Sequence, residues 1–274
     1  MAATVILVSY GVDAVDLSWV PAGTPVIVVR NDEQLNGSAV PGAMLITPPT
    51  NVGFGAGVDL ALARVATPRV VLVNPDLTAR PEHWEALAGG SANEIGVVPI
   101  VDGTGCPTIV VSRYPGPLST VASGWRLGRF LPRRSWLRKA ALRGVGTRGR
   151  EQAAELLGRP AGRYPLATYW ASFALVSLPT VAVRDVGGLG GRYFLYFEDV
   201  DLCRRLSRVL NDGTVVLHDV PPAVHHVGQA GGGGRAAERH RYQSAGLWAA
   251  QEGPVWAVAR LLLRLRALVE PGLR

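Results

Sequence analysis

Apolar residues come in short unbroken runs early in the chain and in a helical rhythm near its end. Thr4–Ser9, Pro25–Val29 and Val70–Val73 are continuous and rich in β-branched residues. Runs of this length without an alternating polar face suit strands covered on both sides, as in parallel sheets. The segments between them, Asp13–Val20 and Gly57–Val65, are predicted helices. Strands alternating with helices predict a doubly wound, mostly parallel α/β layer. Ligands of such sheets bind beyond the carboxyl ends of strands. Ser9 and Tyr10, Asn31 and Asp32, and Asn74-Pro75-Asp76 fall at those ends.

Residues 107–165 change character, turning rich in Pro, Gly and Arg. They read as an excursion from the core, helical near Trp136–Leu142. Apolar patterning returns over 166–183. A helix is expected from Asp199 through Leu210, with Leu202, Leu206 and Val209/Leu210 on one face and Asn211-Asp212-Gly213 as its stop. Val215–Leu217 reads as a strand. Ala230–Arg235 holds four consecutive glycines and reads as a flexible link. Val255–Val269 is a predicted amphipathic helix, with Val258, Leu262, Leu265 and Val269 along one face and Arg260 and Arg264 opposite. The chain thus divides into a main unit over 1–230, with parts at 1–100, 107–165 and 166–230, and a C-terminal link and helix over 231–274. No internal repeat is visible.

A 274-residue chain with 48% hydrophobic content supports a substantial core, and its 18% charged content excludes a disordered protein. No apolar run reaches the roughly 18–20 residues that span a bilayer. The first ten residues lack a basic region before their apolar run, so they read as a strand rather than a signal peptide. Cys106 and Cys203 have no metal-type spacing and read as free thiols in a reducing, cytoplasmic compartment. The net charge of +7 is unevenly placed. Ten basic residues and no acid lie in 113–150, and the rest of the chain holds 18 basic and 21 acidic residues. The partners expected for that segment are phosphates on a membrane surface or a lipid pyrophosphate. Nucleic acid is not expected, because few aromatic residues are interleaved with the cations and no nucleic-acid motif is present.

The densest chemistry lies in Tyr193-Phe194-Leu195-Tyr196-Phe197-Glu198-Asp199-Val200-Asp201. Unpaired buried carboxylates are costly, so an apolar strand does not ordinarily end in three acids. The run reads as a buried strand or turn that delivers acids to a cleft floor and then enters a helix. Asp199 at the helix N-terminus would be held ionised by the helix dipole, as a general base requires. Glu198 and Asp201 flank it. Asn51-Val52-Gly53-Phe54-Gly55-Ala56-Gly57 is a glycine-rich turn opening a helix, able to approach a phosphate or ribose closely. Asp76 can hold a divalent cation when a substrate pyrophosphate supplies further oxygens. A neutral imidazole from His225-His226 can complete an oxygen-rich site, which favours Mn2+ or Mg2+ over zinc.

Together these motifs resemble the inverting family-2 glycosyltransferases of the GT-A fold, in particular their rhamnosyltransferase-like branch. The resemblance rests on Asn-x-Gly-Phe at 51–54, Asn-Pro-Asp at 74–76, Gly187-Gly188, Phe-Glu-Asp-Val-Asp-Leu-Cys at 197–203, and Pro-x-Ala-x-x-His ending at His226. It covers roughly 3–100 and 166–230. It implies that Asp76 and His226 bind the metal on a nucleoside-diphosphate sugar, dTDP-rhamnose or a UDP-sugar, and that Asp199 deprotonates the acceptor hydroxyl. The implied donor pocket comprises Ser9, Tyr10, Arg30, Asn31, Asn51, Gly53, Asp59, Asn74 and Asp76. Trp170, Gly187, Gly188, Glu198 and Asp201 fall on the implied acceptor side. The acceptor class is a cell-envelope or lipid-linked glycan, with peripheral contact at the inner face of the plasma membrane, and a homodimer is compatible with the pattern. The chain departs from the family at Arg30, where an Asp usually contacts the nucleobase, at Asp59 for Asn, and at Leu189 for Phe. Arg cannot accept the imide proton of uracil or thymine. The alternative reading is therefore a non-catalytic glycosyltransferase-like binding subunit.

Overall fold

The computed structural model describes residues 2–10, 15–31, 40–124, 158–226 and 235–269. The first strands are β1 (Ala3–Ser9), β2 (Val26–Arg30), β3 (Met44–Ile46) and β4 (Arg69–Val73), with helix α1 (Phe54–Leu62) between β3 and β4. Every residue of β1 and β4 is buried, so the unbroken apolar runs report strands covered on both faces. Next come β5 (Leu77–Thr78), α2 (Pro81–Leu87), β6 (Glu94–Val97), β7 (Ile100–Asp102), β8 (Val111–Arg113) and α3 (Pro117–Gly124). After the undescribed stretch follow β9 (Gly162–Pro165), β10 (Tyr169–Ala171), β11 (Leu175–Pro179), α4 (Thr180–Asp185) and α5 (Glu198–Leu206). The chain closes with β12 (Thr214–Leu217), β13 (Ala223–His225), α6 (Arg235–Gln251) and α7 (Ala257–Val269).

Eight strands form one sheet in the order β3-β2-β1-β4-β11-β6-β12-β9. β3, β2, β1 and β4 run parallel, as does β12 on β6, while β11 and β9 are antiparallel insertions. A small sheet of β5, β13 and β7 brings the residues after β4 beside those after Pro222. The mixed, largely parallel layer matches the expected α/β class.

Two cores hold the fold. The larger wraps the central sheet. The second consists of Tyr193, Phe197 and Val200 packed against Ala245, Trp248 and Ala249 of α6, Trp256, and Ala259 and Leu263 of α7. The aromatic run before Glu198 is therefore the wall on which the C-terminal helices rest. Trp170 touches both cores, and its Nε1 donates to the Arg113 carbonyl at 3.0 Å.

Several expected elements shift. Residues 15–20 form a turn, not the end of a helix; the Asp16 carboxylate accepts from the Ser18 amide at 2.9 Å, which favours a turn over a helix. Residues 13 and 14, Asp32, the Trp136–Leu142 helix and most of the glycine link lie outside the described residues. α1 begins three residues earlier than expected, and α5 ends at Leu206, with a turn through Leu210. α6 was not expected at all. On α7 the buried face is Trp256, Ala259 and Leu263, whereas Val258 and Leu265 are exposed at 66% and 43%. The helix is apolar nearly all round, so its period alone does not say which side packs.

Candidate active site

Ser9, Tyr10, Arg30 and Asn31, expected in the donor pocket, gather at the carboxyl ends of β1 and β2. Ser9 is buried, and its hydroxyl has no hydrogen-bond partner among the described residues. Tyr10 is half exposed, and Arg30 stands opposite Ser9 in the strand register. Asn31 is buried, and its side chain holds the 51–57 loop: Nδ2 donates to the Gly53 carbonyl at 3.0 Å and Oδ1 accepts from Val52 N–H at 3.3 Å. Asn51 Oδ1 accepts from Gly53 N–H at 2.9 Å. Both asparagines thus shape the loop through its backbone.

Gly53 is required by space and by conformation. Its φ is +82°, and a Cβ there would lie 2.4 Å from the Phe194 carbonyl oxygen. The next residue, Phe54, donates its N–H to that same oxygen at 2.9 Å. The loop that opens α1 is therefore pinned to the segment that leads into Glu198.

That segment is not a strand. Tyr196 and Phe197 both carry φ of 70°, in the left-handed region, immediately before α5. Non-glycine residues held there cost on the order of 1–3 kcal/mol each and concentrate where geometry serves function. The double turn leads directly into Glu198 and Asp199, the first two residues of α5. Glu198 is buried with one carboxyl oxygen unpartnered, and burial together with the adjacent Asp199 charge pushes its pKa well up. Of the two, Glu198 is the one that keeps its proton. Asp199 is also pushed up by burial, to about 6, against the lowering effect of the Val200 and Phe173 N–H groups and of Arg241. Val200 N–H meets Asp199 Oδ1 at 2.8 Å. A partly buried carboxylate of this kind is suited to accept a proton near neutral pH.

Asn74-Pro75-Asp76 lies on the other side of the same bend. Phe173, whose backbone N–H favours the charged form of Asp199, is followed by Ala174, whose carbonyl accepts from Asn74 N–H at 2.8 Å. The Asp76 carboxylate, nearly buried, meets His225 Nε2 at 2.9 Å. Asn74 Nδ2 lies 3.4 Å from the same nitrogen. The imidazole that reaches Asp76 is thus that of His225 and not His226. Successive strand residues face opposite sides, and β13 sets His225 opposite Leu77, next to Asp76. His226 gives its backbone N–H to the Asp76 carbonyl, and its imidazole lies 3.1 Å from the Thr78 hydroxyl.

These donors fit a cation only in part. Among the described residues no group of three His, Cys, Asp or Glu side chains is placed to hold a metal. Asp76 and His225 supply two donors. Their 2.9 Å spacing equals one edge of an octahedron with about 2.0–2.1 Å bonds. Such a set suits an ion whose other ligands arrive with a diphosphate and water.

Asp59, expected in the donor pocket, and Asp201, expected on the acceptor side, both act on the glycine loop. The two oxygens of Asp59 accept from Leu189 and Gly190 N–H at 2.7 Å each, and burial raises its pKa. Asp201 pairs with Arg205 at 2.8 Å, and Arg205 donates to the carbonyls of Val186, Gly188 and Leu189. Gly187 and Gly188 take φ of +82° and +70°. Both carboxylates are thus engaged with the glycine loop, Asp59 directly and Asp201 through Arg205. Arg241 is a residue the sequence pattern did not single out. It lies 3.9 Å over the Tyr196 ring, and its charge faces Glu198 and Asp199. His240 beside it stacks on Phe194 at 4.3 Å. The aromatic run was the available signal, since rings flanking acids attract cations.

This sheet order and site position define the GT-A type of glycosyltransferase fold. Residues 1–349 of TarS from S. aureus superimpose with a TM-score of 0.50 at 13% identity, covering 98% of this chain and 72% of that one. GalNAc-T7 bound to UDP, GalNAc and Mn2+ gives 0.52 at 8% identity, over 96% and 53%. In sequence, the chain is 28% identical over 189 residues to an N-acetylglucosaminyl-diphospho-decaprenol L-rhamnosyltransferase of Mycobacterium tuberculosis, covering 61% of this chain and 54% of the relative. The chain therefore spans about half the length of the curated relatives it matches. No protein-family model matches it.

Proposed function

We propose that this protein is an inverting, divalent-cation-dependent glycosyltransferase. It moves rhamnose or a similar sugar from a nucleoside-diphosphate donor, dTDP-rhamnose or a UDP-sugar, to a hydroxyl of a cell-envelope or lipid-linked glycan. The observation that carries this reading is the Phe173–Ala174 turn, where the Phe173 backbone favours the charged form of Asp199 and the Ala174 carbonyl accepts from Asn74 N–H at 2.8 Å, two residues before Asp76. The named activities of the mycobacterial relative and the ligands of GalNAc-T7 support it.

In this reading Ser9, Arg30 and the 51–57 loop receive the nucleoside. Asp76 and His225 hold the Mn2+ or Mg2+, which when bound neutralises charge on the leaving diphosphate. Asp199 takes the proton of the acceptor hydroxyl as the oxygen attacks the anomeric carbon from the face opposite the diphosphate, giving one inversion. Glu198, keeping its proton, adds no second negative charge beside that base. The Asp59–Arg205 clamp fixes the Gly187–Gly190 loop as one wall of the acceptor side. Trp170 stands at the same side. Peripheral membrane contact and a homodimer belong to the same proposal.

The second reading, a non-catalytic binding subunit, is favoured by Arg30 alone. The test is a panel of nucleoside-diphosphate sugars scored for Mn2+-dependent binding and slow donor hydrolysis. Asp199→Asn is expected to bind donor as the wild type does and to transfer nothing. Transfer surviving that change removes the assignment of the base, and no binding to any donor favours the subunit reading.

A further inference from the structure

The last helix is apolar on two opposite sides, and only one of them is used. Ala259 and Leu263 turn inward with Trp256. A helix turns about 100° per residue, so positions 258, 261 and 265 fall in one stripe away from that face. They are Val258, Leu261 and Leu265, exposed at 66%, 56% and 43%. α3 packs against both α6 and α7, and its Leu118 is exposed at 83%. Single exposed apolar residues are ordinary, but several on adjoining helices mark a contact surface.

The charges carried by α7 have one sign. α7 contains Arg260, Arg264 and Arg266 and no acid. Arg260 is engaged with the Ala249 and Glu252 carbonyls at the end of α6. Arg264 is exposed. An apolar stripe on a helix whose charges are all cationic complements an anionic lipid surface. The same cations disfavour a second copy of this chain, since like charges would meet. No helix among the described residues is long and apolar enough to cross a membrane, so the contact would lie on the surface.

We propose that Val258, Leu261 and Leu265 of α7, with Leu118 of α3, seat the protein on an anionic bilayer surface. The inference deepens the glycosyltransferase reading and rests on it for its purpose. α6 and α7 pack directly on the segment that carries Asp199, so this seating would bring the site to acceptor hydroxyls borne on lipid.

The test is flotation of the full chain with vesicles of phosphatidylcholine alone or with about one third phosphatidylglycerol. Binding to the anionic vesicles is expected to exceed binding to the neutral ones roughly tenfold, and to weaken as salt rises. The variant Val258→Ser/Leu261→Ser/Leu265→Ser is expected to lose about tenfold in binding while keeping the wild-type melting temperature. Leu118→Gln alone should lose less. Wild-type protein that stays unbound with anionic vesicles, or a triple variant that floats equally well, overturns the proposal. So does a wild-type dimer in the absence of vesicles that the triple variant abolishes, since this assigns the face to a second copy. Nucleotide binding, measured on the same samples, separates the two readings. Flotation without nucleotide binding keeps the membrane face and removes the transferase; the reverse result does the opposite.

Discussion

His225 Nε2 and the Asp76 carboxylate lie 2.9 Å apart across a separation of 149 positions. The contact joins the end of the parallel half of the sheet to the last short strand, and it sits where a donor diphosphate would arrive. Asp76→Asn is therefore expected to weaken Mn2+-dependent UDP binding by more than tenfold, and His225→Ala by about tenfold. His226→Ala, whose imidazole faces Thr78, should change it less than about threefold. Titration calorimetry with UDP and Mn2+ checks all three. A larger loss at His226 than at His225 would reverse the assignment.

Asp199 governs the chemical step in the proposed reaction. Its removal by Asp199→Asn should lower turnover by about 10²–10⁴-fold with donor affinity unchanged, because only proton transfer is lost. Turnover of the wild type should fall as pH drops through about 6, where the carboxylate takes up a proton. Initial rates across pH 5–8 measure this limb.

The same group makes a stability prediction of opposite sense. Its ordinary value is 3.8 and its folded value is raised to about 6, so the folded chain holds this proton more firmly than the unfolded chain. The stabilisation is fully present below 3.8 and is lost as pH rises through about 6. Asp199→Asn should then melt above the wild type at pH 8, and the gap should close toward pH 4. Scanning calorimetry at both values decides it.

Arg241 opposes the burial of that acid. Arg241→Gln should move the acid limb of the rate profile to higher pH, since a nearby positive charge favours the ionised carboxyl. Arg241→Lys should restore part of the shift. An unchanged limb in both variants would reduce Arg241 to packing on Tyr196.

Gly188 and Gly53 should tolerate no side chain. A Cβ at Gly188 would meet Asp59 Oδ1 at 2.2 Å, and one at Gly53 would meet the Phe194 carbonyl at 2.4 Å. Either change to Ala is expected to cost roughly 2–4 kcal/mol, combining strain at positive φ with overpacking. Chemical denaturation of the two variants measures it.

The strands of the parallel half were legible because burial on both faces leaves unbroken β-branched runs, as in β1, β2 and β4. The entry of Glu198 and Asp199 into a helix was legible from the acids that follow the aromatic run. Three things were not. Two adjacent histidines carry no signal of which one faces Asp76; strand register decides that. α6 mixes polar and small residues without a marked apolar stripe, because it packs mainly through Ala245, Trp248 and Ala249. Asp59 and Asp201 look like site carboxylates in sequence, yet both are spent on the glycine loop: Asp59 through backbone amides, a contact set by tertiary position, and Asp201 through Arg205, an i,i+4 pair on α5 whose carbonyl partners are set by the fold.

The shared wall between Phe194 and the turn at Gly53 has an engineering consequence. The carbonyl of one is the anchor of the other's neighbour, so in the proposed reaction the nucleoside loop and the proton-accepting acid are mechanically yoked. Grafting residues 51–57 from a relative to swap the sugar donor would tilt the acid-bearing backbone as well. A productive chimera would have to transplant 193–197 with the graft, as a matched pair.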